Sequence, residues 1–456
     1  MIDYINSRTF VSETDLPYQI TKNWNPEIVN VELNDEVLSR DEFNVLMSDF
    51  SENIDKESKR IVKKLKGNIE GLEHDIMYAK LDDKQWLQAA LITELFREHN
   101  ISKNAGNIDT YILQEKTYAS LNKDELNFLI GWGQAKRSCG GLKTDGYFSD
   151  FSECYAIMTL QVIMNCIYLI SQKPVTLTVL TGGGRFYPAL FTSQEKVEQY
   201  DNQRQIIADF FANDQARIYF SPYRSSNHID KKELDEACAA VGQEQVDKFF
   251  KTVLLNVDWF AILSANDFSP HGIPLPATTT KYVRNSGNLD KLIMMAIVCI
   301  LNRDSHNYWL KEIVDMELFD DTIDFFYEVT YQSARKYIAI HLMDADIDNT
   351  SKSETHSDAI RLTVHDKKDR RDIPAIYTLG RVAGNKLSQH VCAVISDGTI
   401  SFRTKFEILQ LAGVKKVYLS QESAFDWLRF RGQPFFYSND TKEVYLSVLR
   451  SKLFYE

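Results

Sequence analysis

The sequence predicts an α/β fold with a Rossmann-like, mostly parallel sheet and flanking helices. Helix and strand patterns alternate between residues 150 and 240, as they do in chains that build parallel sheets. The segment 175–181, VTLTVLT, is apolar and β-branched, which is typical of a central strand buried on both faces. A β-rich C-terminal part is expected to extend this sheet.

Length and charge limit the class of protein. A chain of 456 residues is too long for one small domain. We divide it into a mainly polar N-terminal extension of unknown role, residues 1–85, and an α/β domain, residues 86–456. The net charge of −12 argues against a broad surface for nucleic acid or anionic membrane.

The cysteines and the apolar segments indicate a cytoplasmic protein. The six cysteines form no CxxC pair, which disfavours a zinc site or a disulfide framework. The most apolar stretch, residues 154–170, is shorter than the about 20 residues of a spanning helix and carries polar side chains. The N-terminus lacks the apolar core of a signal peptide.

Upstream of the central strand, helices are predicted from Asp82 and over 121–133, LNKDELNFLIGWG. A loop rich in glycine and lysine then leads to a long buried helix. Asp150 and Glu153 have the spacing of a capping box at its start.

Beyond the central strand, a helix begins near Ser193 and the next strand covers 216–221. Asp230 is placed to cap the helix that follows. The C-terminal part contains further β-rich segments, at 359–366, 374–381, 390–396 and 400–409. The sequence SDGT at 396–399 predicts a tight hairpin between the last two.

The turn after the central strand is a candidate binding site. Open α/β sheets bind ligands at the carboxyl ends of their strands. Gly183 and Gly184 would let a ligand approach the backbone, and Arg185 would meet an anion. Since neither GxGxxG nor GxxxxGK[ST] occurs, no dinucleotide or P-loop site is indicated. A structural turn is the alternative.

Other charged residues suit a site that binds an anion and moves protons. Lys136 and Arg137 lie in the loop before the buried helix, where they suit a phosphate or a carboxylate, or simply face solvent. Asp150 is best explained as a cap. Glu153 can both cap the helix and act as a general acid or base.

Two histidines and an arginine fall in the C-terminal β segments. Arg361 and His365 are four residues apart in IRLTVH and therefore share one face of a strand. Burying them without partners would be costly, which favours a site. His390 is expected in a strand that pairs nearby, although a structural histidine is the alternative. The other histidines have no metal-ligand spacing, so no metal is expected.

In their order, these segments resemble the isocyanide (isonitrile) synthase family of pyoverdine-chromophore and dityrosine-type biosynthesis. The resemblance covers about residues 120–440. It is carried by AKRS (135–138), SDFSE (149–153), LTGGGRFYPALFTSQEKVEQY (180–200), IRLTVHD (360–366), SQHVCAVISDG (388–398) and GQPFFYSN (432–439).

The resemblance implies condensation of the amine of an L-amino acid, often tyrosine or tryptophan, with C2 of ribulose 5-phosphate. It implies no metal or redox cofactor. We expect Glu153, His365 and His390 to be catalytic, and Lys136, Arg185 and Arg361 to converge on the sugar phosphate. The alternative is a non-catalytic or reassigned relative that binds a phosphorylated sugar or amino acid. Gly183, where the family has aspartate, favours that alternative.

Overall fold

The computed structural model describes residues 33–69, 84–133, 136, 143–182, 186–222, 229–265, 268–286, 289–301, 316–350, 358–365, 371–420 and 433–451. The strands are β1 (Asn34–Leu38), β2 (Leu126–Trp132), β3 (Val175–Thr181), β4 (Ala216–Pro222), β5 (Ile360–Leu362), β6 (Cys392–Ser396), β7 (Thr399–Arg403), β8 (Lys415–Leu419) and β9 (Phe436–Ser438). The helices are α1 (Arg40–Ile69), α2 (Lys84–Arg97), α3 (Thr110–Leu121), α4 (Phe151–Ser171), α5 (Tyr187–Leu190), α6 (Gln194–Phe211), α7 (Lys231–Ala239), α8 (Gln243–Leu254), α9 (Trp259–Ser264), α10 (Ala277–Ser286), α11 (Leu289–Leu301), α12 (Met316–Thr350), α13 (Lys405–Ile408) and α14 (Lys442–Ser451).

A parallel sheet of four strands, in the order β4-β3-β2-β5, confirms the predicted α/β class. The predicted central strand is β3, an inner strand, and Val175, Leu177 and Val179 are buried in the core. The carboxyl ends of three strands coincide, because Thr181 of β3 lies level with Trp132 of β2 and Pro222 of β4.

The helix predicted over 121–133 is wrong. Helix α3 ends at Leu121, and 126–132 forms β2 between β3 and β5. Along β2 the side chains of Leu126, Phe128, Ile130 and Trp132 are buried at every second position, which is the period of a strand. Aromatic and β-branched residues favour that state once neighbouring strands are available.

The later C-terminal strands form a second sheet, in the order β1-β8-β9-β6-β7. Of the C-terminal strands that the structure describes, β5 extends the parallel sheet as predicted, whereas β6 to β9 pair among themselves and with β1. The predicted hairpin is confirmed, with Asp397 and Gly398 at positive φ (52° and 66°) between β6 and β7. Residues 374–381 form isolated bridges rather than a strand.

Helix α4 lies at the centre of the larger hydrophobic core, which includes residues of both sheets. It is long and apolar enough to cross a membrane, but 89% of its most apolar 18-residue stretch is buried inside the protein. That burial is typical of a core helix, and it explains why the helix is apolar around most of its circumference.

The described part of the predicted N-terminal extension belongs to the same core. Strand β1 pairs in parallel with β8, and α1 packs along α4. Phe43, Leu46 and Phe50 on α1 are fully buried. Residues 33–69 therefore complete the second sheet and cover the central helix, and the polar composition of the segment reflects its solvent-facing side.

The chain between β4 and β5 builds a separate helical layer. Helices α8, α9, α11 and α12 enclose a second hydrophobic core, in which the rings of Trp259 and Phe326 stack 3.9 Å apart. Phe186, which follows the glycine turn, joins this core by packing its ring against Tyr337 and His341. The helical layer thus meets the parallel sheet beside its carboxyl edge.

Phe50→Ala is expected to lower the free energy of unfolding by about 3–5 kcal/mol, because it removes a fully buried ring that contacts Phe151. Val45→Ala on the same helix is the control. Val45 is 46% exposed, and its loss should cost no more than about 0.5 kcal/mol. Urea unfolding followed by tryptophan fluorescence measures both. Equal, small effects would show that α1 does not pack as described.

Candidate functional site

The carboxyl edge of the parallel sheet is closed by a short 3₁₀ turn, Ser388–His390. The indole N–H of Trp132 at the end of β2 donates to Gln389 Oε1 (2.9 Å). A Cβ atom on Gly133 would lie 2.2 Å from Gln389 Nε2, so any side chain there would displace the Gln389 side chain. The turn is thereby fixed over the strand ends.

Beneath this turn lies a buried charge cluster, which we define as Lys136, Asp150, Glu153 and Tyr200. The Nζ atom of Lys136 is 2.7 Å from Asp150 Oδ2 and 2.7 Å from Glu153 Oε2. It also donates to the carbonyl oxygen of Ser388 at 3.4 Å. The three charged side chains are at most 2% exposed.

The start of α4 holds the two carboxylates in place. Asp150 is the N-cap, as predicted, and its Oδ1 accepts from the backbone N–H of Ser152 (2.8 Å). The backbone N–H of Asp150 donates to Glu153 Oε2 (3.0 Å), which completes the capping box. The same bonds that begin the helix therefore aim both carboxylates at Lys136.

Tyr200, on α6, completes the cluster from the other side. Its hydroxyl donates to Glu153 Oε1 at 2.9 Å, so both oxygens of Glu153 accept hydrogen bonds. Burial and the charge of Glu153 raise the pKa of Tyr200 far above its ordinary value. Tyr200 therefore stays protonated and acts as a fixed donor.

A second buried ion pair lies one helical turn along α6. Arg204 pairs with Asp201, and its guanidinium stacks on the rings of Tyr200 (4.1 Å) and Phe220 (4.6 Å). Asp201 also accepts from the hydroxyl of Thr181 (2.6 Å), the last residue of β3. The end of β3 is thus connected to Glu153 through one face of α6.

The electrostatics of the cluster follow from its charge imbalance. Burial raises the pKa of Asp150 to about 7, and the charge of Glu153 adds to this effect while Lys136 opposes it. Burial alone would lower the pKa of Lys136, but the two carboxylates outweigh it and raise that pKa above its ordinary value. One lysine faces two carboxylates, so the site can take up and release a proton near neutral pH. Such a group is suited to acid–base catalysis.

His390 lies in the 3₁₀ turn and not in a strand, so its predicted position in a paired strand is wrong. β5 and β6 belong to different sheets because β6 pairs with β7 and β9 instead. The Nδ1 atom of His390 is 3.4 Å from Nζ of Lys143, and that Nζ is 3.4 Å from Asn256 Oδ1. His390 thus lies where the turn meets the helical layer.

Arg361 lies on the edge strand β5, but β5 ends at Leu362 and His365 lies three residues beyond it, so the prediction that the two share one face of a strand is wrong. Arg361 is exposed, opposite Leu129 of β2, and His365 is partly buried with its backbone N–H bonded to Thr363 Oγ1 (3.1 Å). Lys136 contacts two carboxylates and Arg361 is exposed, and their predicted convergence on one anion stays a prediction. A buried lysine is stabilised by the nearest carboxylates, and Asp150 and Glu153 occupy Lys136.

Arg137, Gly183, Gly184 and Arg185 lie outside the described residues. The sequence reasoning missed Tyr200, Arg204 and Lys143. The signal for Tyr200 and Arg204 was their spacing of four residues on one predicted helix, which places an aromatic ring and a guanidinium side by side.

Among the described residues, no group of three or more His, Cys, Asp or Glu side chains could hold a metal ion.

No family model and no curated protein matches this chain. Among solved structures, it is similar to the crystal structure of the PvcA protein from Pseudomonas aeruginosa, at 15% sequence identity and a TM-score of 0.44. The match covers 77% of this chain and 100% of that chain. A likeness at this identity and TM-score assigns no function to the chain.

Lys136→Met is expected to lower the free energy of unfolding by about 3–5 kcal/mol, because two carboxylates would remain buried without a counter-charge. Adding Glu153→Gln should recover part of this loss. Lys56→Met is the control, since Lys56 and its partner Glu52 are 65% and 63% exposed, and it should cost no more than about 1 kcal/mol. Similar losses for the Lys136 and Lys56 variants would contradict the buried cluster.

Proposed function

We propose that this protein is an isocyanide synthase, which condenses the amine of an L-amino acid with C2 of ribulose 5-phosphate in natural-product biosynthesis. The observation that carries the proposal is the buried charge cluster at the carboxyl edge of the parallel sheet. It combines the edge at which α/β sheets bind ligands with a carboxylate whose pKa is raised to about 7. The order of the sequence motifs supports the same reading.

The first chemical step explains why such a cluster is useful. An amino acid carries an ammonium group at neutral pH, and that group must lose a proton before its nitrogen attacks a ketone. A carboxylate with a pKa near the operating pH is suited to accept this proton. In our proposal the carboxylate pair of Asp150 and Glu153 accepts it, Lys136 balances the charge, and Tyr200 fixes Glu153.

The remaining sequence candidates keep their proposed roles. His365 and His390 would move protons at the reacting carbon, since both lie near the strand ends or the turn that covers them. Arg361 would bind an anionic group of a substrate, together with Arg137, Arg185 and the glycines 183 and 184. A bulky or aromatic amino acid is the expected substrate.

A second candidate function is binding of a phosphorylated sugar or an amino acid without catalysis. One observation favours it: the charged groups of the cluster are buried and hydrogen-bonded to one another, as in an ion cluster that serves folding. Loss of activity at Glu153 without loss of stability distinguishes the two functions.

The test is incubation with ribulose 5-phosphate and pooled L-amino acids, with detection of an isocyanide by its infrared stretch and by mass spectrometry. Glu153→Gln keeps the cap but removes the charge, and it should reduce the rate of product formation by about 10²- to 10⁴-fold. Glu52→Gln, at an exposed ion pair, is the control and should leave the rate unchanged.

Two outcomes would contradict the proposal. Binding of ribulose 5-phosphate by the wild-type protein without any isocyanide product would favour the non-catalytic function. A normal rate in Glu153→Gln would place the chemistry away from the charge cluster.

A further inference from the structure

Arg204 is a fully buried arginine beside the charge cluster. It lies four residues after Tyr200 on α6, so the two side chains share one face of the helix. Its guanidinium carbon lies 4.1 Å from the centre of the Tyr200 ring, and the hydroxyl of that ring donates to Glu153 Oε1 at 2.9 Å. Arg204 therefore packs on the ring whose hydroxyl binds Glu153.

This guanidinium is held by groups from the carboxyl ends of three strands. Its Nη1 donates to the carbonyl oxygen of Gly133, directly after β2, at 3.3 Å. Its Nη2 pairs with Asp201, which accepts from the hydroxyl of Thr181 at the end of β3. Its carbon lies 4.6 Å from the centre of the Phe220 ring on β4. These three contacts fix the plane of the guanidinium, and Tyr200 packs against a fixed plane.

Stability alone does not explain a buried arginine at this position. The Nε atom of Arg204 is buried without a hydrogen-bond partner, and such a donor destabilises a fold. A buried ion pair is often no more stabilising than apolar side chains of similar volume. An apolar side chain could fill the space between Tyr200 and Phe220, but it would make no bond to Gly133 or Asp201. What the arginine adds is the orientation of the Tyr200 ring.

That orientation matters because the Tyr200 hydroxyl is a donor to the carboxylate pair. Glu153 Oε2 accepts from Lys136 and from the backbone N–H of Asp150, while Oε1 accepts from Tyr200. A hydrogen bond to the ionised form of a carboxylate favours that form. Since two carboxylates in contact with one lysine titrate as a pair, loss of the Tyr200 bond would make the pair release its proton at a higher pH.

Among the described residues, the titratable and charged groups that face the pair or Tyr200 are Lys136, Cys154, Arg204 and Cys392. Burial raises the pKa of both thiols far above the ordinary value, so both stay neutral. Lys136 balances the carboxylates directly, whereas Arg204 packs on Tyr200.

We propose that Arg204 is a positioning residue, which holds the Tyr200 hydroxyl on Glu153 and thereby ties the proton of the carboxylate pair to the carboxyl edge of the sheet. The inference rests on the proposed function for the reaction in which that proton is used. It involves no contact between Arg204 and a substrate. Because Arg204 acts through Tyr200, its effect on the carboxylates should vanish when the Tyr200 hydroxyl is removed.

The test is a double-mutant cycle of Arg204→Met and Tyr200→Phe. The measured quantity is the midpoint of the pH titration of Asp150, followed by carbon-13 NMR of protein labelled at the aspartate carboxyl carbons. Tyr200→Phe should raise the midpoint by about one pH unit or more, because a donor to an ionised carboxylate is lost. Arg204→Met should raise it in the wild-type background and add little in the Tyr200→Phe background. A direct effect of the arginine's charge would persist in both backgrounds.

A second variant keeps the test informative if Arg204→Met does not fold. Arg204→Lys leaves Asp201 with a cationic partner. An ammonium group lacks the planar fork that bonds to Gly133 while lying on the Tyr200 ring. Arg204→Lys should therefore also raise the midpoint, and again only while the Tyr200 hydroxyl is present.

Arg97→Met is the matched control. Arg97 also pairs with a carboxylate three residues earlier on its own helix, Glu94, but its side chain is 45% exposed. Its replacement should leave the Asp150 midpoint unchanged. All shifts are measured from the wild-type midpoint, whatever its value.

The role of Arg204 would be refuted by an unchanged Asp150 midpoint in a folded Arg204 variant. It would also be refuted by a shift of equal size with and without the Tyr200 hydroxyl. These titrations need no substrate, so their outcome is separate from that of the proposed function. Isocyanide formation without the coupled shift would reject the role of Arg204 alone. The coupled shift without any isocyanide would reject the function alone.

Discussion

The buried ammonium group of Lys136 contacts the carboxylates of both Asp150 and Glu153, so one positive charge faces two negative charges. The neighbouring structure is arranged around this imbalance of charge. Two ionised carboxylates so close together are costly to bury, and one lysine compensates only one of them. The remaining cost is reduced by hydrogen bonds from the start of α4 and from Tyr200, and by a proton taken up near neutral pH. The imbalance that costs folding free energy therefore also raises the pKa of Asp150 toward neutral pH.

Four parts of the chain meet at this cluster. Strand β2 leads to Lys136, the first turn of α4 supplies both carboxylates, α6 supplies Tyr200, and the turn Ser388–His390 covers them. Because α4 is buried by α1 and contacts strands of both sheets, its first turn has little freedom to move. The large core therefore serves the site by fixing the position of a single helix terminus.

Local signals in the sequence predicted the features that depend on neighbouring residues. The capping box of Asp150 and Glu153, the strand 175–181 and the Asp397–Gly398 hairpin each follow from chemistry within a few positions. Strand β2 was missed because its segment also fits a helical pattern, and only pairing with β3 and β5 decides the matter. The second sheet was missed because β1 joins β8 from far along the sequence.

Residues of the site were predicted from the sequence, but their contacts with one another were not. Lys136 and Glu153 were both expected to be functional, yet their direct contact joins residues 17 positions apart, and no local spacing predicts it. Lys143 gave no signal, since a lysine in a polar loop looks solvated until His390 and Asn256 are brought to it from 247 and 113 residues away. The spacing of neighbouring residues does not indicate long-range contacts of this kind.

The protonation state of Asp150 tests the central claim most directly. Carbon-13 NMR of protein labelled at the aspartate carboxyl carbons would follow it with pH, and the resonance is assigned by its absence from Asp150→Asn. The account predicts a titration midpoint near pH 7, because burial and Glu153 raise the pKa to about 7. A midpoint at or below about 4, the ordinary value of an aspartate, would contradict the claim that this cluster holds an exchangeable proton at neutral pH.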